Sequence, residues 1–222
     1  MIAQIIFAFL LAVAGFFFTK RILFIRRNIL LGRDIDLSDR KAQRWKTMAR
    51  VALGQSKMVA RPVAGILHIL VYLGFVIINI EMLEIVIDGL FGTHRVFSSI
   101  GPIYSVLIAS FEFLALGVLS ACAIFLVRRH ILAIARFKSP EMGGWPSLDA
   151  TIILVAEILL MGAFLGMNAA DSIAMGRELD HYTVDVDASA FPISQYLLGL
   201  LGGMSDSAIV LVERGCWWFH IV

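Results

Sequence analysis

Residues 61–79 read RPVAGILHILVYLGFVIIN, and after the opening Arg61 and Pro62 this stretch is almost wholly apolar around His68. Together with the residues that follow it to about Ile87, it is long enough to cross a bilayer, which takes about 20 apolar residues. An ionisable side chain is costly among lipid tails, so its presence at that depth indicates a functional role. The stretch therefore predicts a membrane helix that carries a functional histidine.

The rest of the chain has the composition of a polytopic membrane protein. Of its 222 residues, 59% are hydrophobic and 16% are charged, whereas soluble domains are about 45–50% apolar. Apolar runs predict spans at about residues 2–25, 63–87, 103–127 and 148–167, and an incomplete span over 208–222. The predicted fold is all-α, a five-helix membrane bundle whose fifth helix is truncated, and we expect a longer protein to continue from it.

The charges of the loops predict which ends of the helices face the cytoplasm. Residues 19–62 hold 12 Lys or Arg against three Asp, and residues 128–147 hold four cations against one Glu. Residues 91–102 and 168–207 hold one cation each, and 168–207 also holds six acidic residues. The positive-inside rule places the two basic loops in the cytoplasm and the N-terminus outside. Because the cations flank apolar spans, we expect no nucleic-acid binding.

The basic loop over 19–62 contains a predicted amphipathic helix. Asp36 and Ser38 are typical helix-capping residues, and Trp45, Met48 and Ala52 then share one helical face. A helix that lies on the inner leaflet is one interpretation, and a docking surface for a soluble electron-transfer partner is the other. On the opposite side, the sequence after residue 180 predicts a loop and then a short interfacial helix.

Two histidines are the principal site candidates. His68 lies five residues past Val63, about 8 Å below the inner boundary at about 1.5 Å per residue, and His220 lies about 9 Å below the outer boundary by the same measure. A neutral imidazole at such depth is the usual axial ligand of a b-type haem, and the alternative is a histidine hydrogen-bonded between helices. Their different depths predict that they do not bind one iron together. We expect solvated or headgroup-facing positions for His94, His130 and His181.

Five carboxylates also lie in or near the predicted spans. Glu81, Glu84 and Asp88 recur on one face of the second span, while Glu112 and Glu157 lie within the third and fourth. Buried carboxylates of this kind can exchange protons or border a quinone, so Glu81, Glu112 and Glu157 are candidates for a proton route or quinone-binding edge. Glu84 and Asp88 are predicted to lie near water.

Three short motifs carry a resemblance to a known family. They are RPVAGILH at the start of the second span, RR after the third, and WWFH at 217–220. Together they resemble the membrane domain of bacterial Fe–S oxidoreductases, whose cytochrome b part is similar to the gamma subunit of respiratory nitrate reductase. Relatives of that family include heterodisulfide reductase and electron-transfer-flavoprotein:menaquinone oxidoreductases.

This resemblance implies a bundle of five helices with b-type haem, one or two, held between the second and fifth. His68 matches the helix-two ligand and His220 the first helix-five histidine, whereas the position of a second helix-two histidine holds Ile78. The family further implies Fe–S clusters in a cytoplasmic part beyond residue 222, and electron flow between a soluble donor, such as an electron-transfer flavoprotein, and menaquinone in the bacterial inner membrane. The chain would then be part of a quinone-linked oxidoreductase.

Two other readings remain open from the residues. The chain could be a cofactor-free membrane anchor for a soluble Fe–S domain, with structural histidines. It could also be an ion transporter that binds a cation at Glu112 and Glu157, although we find no inverted repeat or pair of broken helices of the kind common in transporters.

Overall fold

The computed structural model describes residues 1–33, 35–36, 38–140, 143–184 and 186–221. Glu141, Asp185 and Val222, which contributed to the loop charges and the fifth span, lie outside these ranges. Every regular element within them is helical, in agreement with the all-α prediction. The helices are, in chain order, α1 (Ile2–Leu30), α2 (Lys41–Met48), α3 (Pro62–Phe91), α4 (Pro102–Leu126), α5 (Trp145–Gly176), α6 (Leu198–Leu201) and α7 (Asp206–Phe219).

Four of these helices are long and apolar enough to cross a membrane. They are α1, α3, α4 and α5, and each has 29–32 residues when α4 is counted with the wider helical turn that extends it to Ile131. Prolines occupy the first turn of α3, α4 and α5, where the missing N–H is not needed. Gly92, with φ of 71°, ends α3 in the left-handed conformation that glycine adopts without strain.

α5 is the central helix of the bundle. It packs against α4 on one side and α7 on the other, while α3 packs against α4 and α1 against α3. The contact of α5 with α7 is close because Ala169, Ala170 and Ala174 are fully buried and a Cβ on Gly166 would lie 3.7 Å from Cys216 Sγ. Small residues of this kind allow membrane helices to approach each other.

α1 contacts the bundle only near its beginning. Gln4, Phe7 and Leu10 are its only residues that are not exposed. The Phe7 ring is 1% exposed and lies 5.3 Å from the Trp217 ring of α7, between centroids. The remainder of α1 is exposed and apolar, as a lipid-facing surface should be.

α5 extends nine residues past the predicted end of its span at Met167. Asn168 and Asp171 are therefore helical and buried, and their assignment to an outer loop was wrong. The apolar run stops at Asn168, but the helix continues because the polar groups that follow find partners inside the protein. This extension brings the end of α5 against the turn that follows α3.

α7 differs from the other predicted spans in length. It has 14 residues, fewer than the roughly 20 that a full span needs. In the described residues the structure thus supports an all-α membrane bundle with four helices of spanning length, and the fifth span is not confirmed.

The short helices agree only partly with the sequence. A short helix does follow the acidic loop, at α6. In the basic loop, α2 begins after Arg40, which has a left-handed φ of 43° and makes no side-chain cap. The predicted caps are wrong: Asp36 instead accepts a 2.8 Å hydrogen bond from the Ser38 N–H, a local turn that competes with helix capping.

Candidate cofactor cavity

An apolar cavity of about 430 Å³ lies between α3, α4, α5 and α7, and we name it the cofactor cavity. Along α3 its lining runs from His68 to Ile85, about 25 Å at about 1.5 Å per residue. The lining residues of α3 recur every three or four positions because one helical face points at the cavity. Its size is within the usual range for small-molecule sites, roughly 300–1,000 Å³. Its ionisable lining residues are His68, Tyr72, Glu81, Glu157 and His220.

His220 has the hydrogen bonding expected of a metal ligand. Its Nδ1 lies 2.9 Å from the backbone carbonyl of Cys216, one turn earlier in the chain, to which it can only donate. That bond leaves Nε2 without its proton, as a lone-pair donor, and Nε2 is buried with no partner among the described residues. Metal-binding histidines usually bind a carbonyl or carboxylate through the other ring nitrogen in this way.

His68 is half-buried and lines the same cavity. It also lines a second, basic cavity with Lys57 and Arg61 at the start of α3. His220 contacts Phe164, with 6.5 Å between ring centroids, and so lies one helical turn of α5 from the buried Asn168. Both imidazoles line one cavity, and their different depths stay a prediction from the sequence.

Two of the glycines of α3, Gly65 and Gly74, have different surroundings. Gly74 lines the cofactor cavity, but a Cβ there would lie 2.4 Å from Cγ2 of Val118. Its missing side chain therefore lets α4 approach α3, which is a packing role. Gly65 lies beside His68 in the basic cavity.

Two of the three candidate carboxylates, Glu81 and Glu157, line one cavity, and the third, Glu112, does not. Glu81 is 4% exposed and its Oε2 has no partner among the described residues, and both Glu81 and Glu157 line the cofactor cavity. Glu112 lies outside that lining and is fully bonded. It accepts hydrogen bonds from Asn168 Nδ2 at 3.1 Å, from the N–H groups of Ile193 and Ser194 at 2.7 and 3.0 Å, and from the Ser194 hydroxyl.

A buried polar network lies where α3 and α5 end and α4 begins, and we name this the acidic end of the bundle. Arg95 is 5% exposed and donates to Asp171 Oδ2 at 2.5 Å, to the Tyr104 hydroxyl at 3.0 Å and to Asn168 Oδ1 at 2.9 Å. Burial opposes the charge of Arg95, but the carboxylate of Asp171 raises its pKa well above the ordinary value. Arg95 therefore stays charged and ties the ends of the helices together.

Two sequence predictions fail in this network. Glu84 is not near water: it is 3% exposed and accepts from the Tyr104 hydroxyl at 2.8 Å. His94 is not solvated either, because its side chain is 9% exposed and its Nε2 lies 2.8 Å from Asp171 Oδ1. A signal was present in the sequence, since three acidic residues on one face of α3 precede a loop whose one cation is Arg95.

A polar cavity of about 380 Å³, the acidic-end cavity, lies beside this network. Glu81 and Ile85 line both it and the cofactor cavity. The acidic-end cavity also has His94, Asp171, His181, Glu213 and Arg214 in its walls. Within the described residues, no group of three or more His, Cys, Asp or Glu is arranged to hold a metal ion.

Comparisons with known proteins point to quinone-linked oxidoreductases. The chain is 26% identical over 206 residues to an EtfAB:quinone oxidoreductase of Syntrophomonas wolfei, and 22% identical over 194 residues to a probable iron-sulfur-binding oxidoreductase, FadF, of Bacillus subtilis. Each alignment covers 87% of this chain, which spans 26% and 25% of the two relatives. No protein-family model and no solved structure matches the chain.

Proposed function

We propose that this chain is a membrane electron-transfer domain that carries b-type haem in the cofactor cavity and exchanges electrons with menaquinone. The observation that carries the proposal is the lone pair of His220 Nε2, which is buried and has no partner within the described part of the chain, beside an apolar cavity that His68 also lines. An orphaned buried acceptor costs roughly 1–3 kcal/mol, so a ligand that bonds to it would stabilise the protein. The names of the two relatives supply the electron-transfer and quinone parts of the proposal.

The residues of the chain would hold the haem in distinct ways. His68 and His220 would each bind a haem iron, and the depths predicted from the sequence favour two separate irons. Val71, Phe75 and Phe164 give an apolar contact surface that excludes water. A bound haem supplies a one-electron redox centre, whose potential depends on its axial ligands and burial.

The partners follow from the same proposal. An electron-transfer flavoprotein, as the name of the first relative suggests, would deliver electrons through Fe–S clusters outside this chain. The basic loops carry positive charge that would attract an acidic soluble partner. The four long apolar helices place the domain in a lipid bilayer, and we propose the bacterial inner membrane with the basic loops in the cytoplasm.

A reduced-minus-oxidised optical spectrum of the intact membrane protein tests the haem. We expect a b-type α band in the wild type and a lower haem content in both His68→Ala and His220→Ala. The matched control is His130→Ala, because His130 is exposed and contacts Thr151 at 3.1 Å, away from the cavity. A haem content unchanged by both cavity variants would refute the ligand assignment, and a wild type without any b-type band would leave the cofactor-free anchor as the better reading.

A further inference from the structure

His94 and Asp171 form a buried pair in the wall of the acidic-end cavity. The side chains are 9% and 3% exposed, and 2.8 Å separates His94 Nε2 from Asp171 Oδ1. Asp171 accepts from Arg95 through its other oxygen, so its carboxylate is held ionised and in one orientation. This pairing makes Nε2 the donor and leaves His94 Nδ1 as the proton acceptor of the ring.

His94 Nδ1 has no partner among the described residues, although it is buried. A carboxylate that orients a histidine and stabilises its protonated form is a general way of making a proton-accepting base. The exposed His181 lies next to it, with 5.5 Å between ring centroids. His94 thus lies between a surface imidazole and the interior of the acidic-end cavity.

Glu81 connects this cavity to the cofactor cavity because it lines both. Like His94 Nδ1, its Oε2 is buried and has no partner among the described residues. A cavity of about 380 Å³ has room for several water molecules, each of which takes about 30 Å³ in the liquid. Cavity water can therefore bridge His94 and Glu81.

We propose that His94, positioned by Asp171, exchanges the protons of quinone chemistry with the aqueous phase at the acidic end, through Glu81. The proposal rests on the function proposed above, and it adds a route that is separate from the electron path. Reduction of one quinone to a quinol consumes two electrons and two protons, and the electrons come from the haem side.

Each proton follows the same sequence of transfers. It binds His94 Nδ1 to give an imidazolium beside Asp171, passes through cavity water to the Glu81 carboxylate, and leaves the resulting carboxylic acid for the reduced quinone oxygen. Both groups then return to their starting states, and quinol oxidation reverses every step. The other charged or titratable groups that face the cavity are Glu84, Asp88, Arg95, His181, Glu213 and Arg214.

The test uses the intact protein in vesicles with a water-soluble menaquinone analogue. In His94→Gln we expect an unchanged haem spectrum and unchanged haem reduction by dithionite, but quinone turnover lowered about 100-fold, as for loss of a general acid–base. Its pH profile should lose the wild-type dependence, and added free imidazole should restore part of the rate. The matched control His130→Gln should keep the wild-type rate and profile.

A second measurement needs no variant. In vesicles of one orientation, a pH change only on the side of the acidic end should change wild-type quinone turnover, while the same change on the other side should not. The proton route is overturned if turnover responds only to a pH change on the side of the basic loops. It is also overturned if the His94→Gln protein has the wild-type rate and pH profile. In both cases the haem proposal stands. A missing b-type band in every protein overturns the proposed function instead.

Discussion

The acidic end and the cofactor cavity differ in how many of their buried polar groups are hydrogen-bonded. At the acidic end Arg95, Glu84 and Glu112 are almost fully buried, and each of them has two or more hydrogen-bonding partners. Beside the cofactor cavity, His220 Nε2 and Glu81 Oε2 are buried and have no partner among the described residues, and at the acidic end His94 Nδ1 is in the same state. A buried polar group without a hydrogen bond is costly. We therefore infer that the bonded groups stabilise the fold, whereas the unpartnered ones bind a ligand or a proton.

The largest expected loss of stability comes from removing the positive charge of Arg95 at the acidic end. Arg95→Met should destabilise the protein by about 3–5 kcal/mol, since it leaves Asp171 buried without its counter-charge. Thermal denaturation of the detergent-solubilised protein measures this loss. Adding Asp171→Asn to Arg95→Met should recover part of the stability.

The control for that substitution is Arg40→Met. The Arg40 pair with Asp39 is exposed, with 74% and 58% of the two side chains accessible, and such pairs contribute about 0–1 kcal/mol. If Arg95→Met costs no more than Arg40→Met, the network at the acidic end does not hold the helix ends together.

Two buried glutamates, Glu112 and Glu81, should differ in the sign of the stability change when each is replaced, and both changes should be smaller than that of Arg95→Met. Glu112→Leu should cost roughly 1–3 kcal/mol, because it leaves buried donors such as the Ile193 and Ser194 N–H groups without their acceptor. Glu81→Leu should be neutral or stabilising, because the carboxylate it removes has an unpartnered oxygen. Denaturation midpoints of the two variants, measured side by side, decide the sign; equal losses would mean that Glu81 is a structural residue too.

The sequence predicted the membrane class and four long helices because these depend on apolar runs, which are local. It also identified His68, His220, Glu81 and Glu157, which the structure brings to one cavity. It missed the Arg95 network because that network joins residues 73 to 76 positions apart. Hydropathy ends the predicted span at Met167, because the apolar run stops at Asn168. Helix α5 continues to Gly176, since Asn168 and Asp171 find a partner in Arg95. No local sequence pattern indicates that distant partner.

The next effect in size concerns the close contact of α3 with α4 beside the cofactor cavity. Gly74→Ala should cost about 1–3 kcal/mol, as overpacked substitutions do, because its Cβ would lie 2.4 Å from Cγ2 of Val118. The double variant Gly74→Ala/Val118→Ala should be more stable than the sum of the two single changes predicts. Gly15→Ala is the matched control, since nothing lies within 4 Å of that Cβ and the change should stabilise α1 by roughly 0.5–1 kcal/mol. An additive double variant would show that the two positions do not touch.

The smallest expected effect is the pH dependence that His181 gives to folding. Burial lowers the pKa of this histidine below its ordinary value of 6.5, and the charges of Arg214 and His94 lower it further. The unfolded chain therefore binds a proton more readily than the folded one, so this residue makes the protein less stable as pH falls through about 6.5. Because His181 is exposed, water screens the effect, and we expect His181→Asn to change stability by less than about 0.5 kcal/mol. Denaturation midpoints at pH 7.5 and 5.5 should differ less in His181→Asn than in the wild type, and a larger difference in the variant would show that protonated His181 is stabilised in the fold.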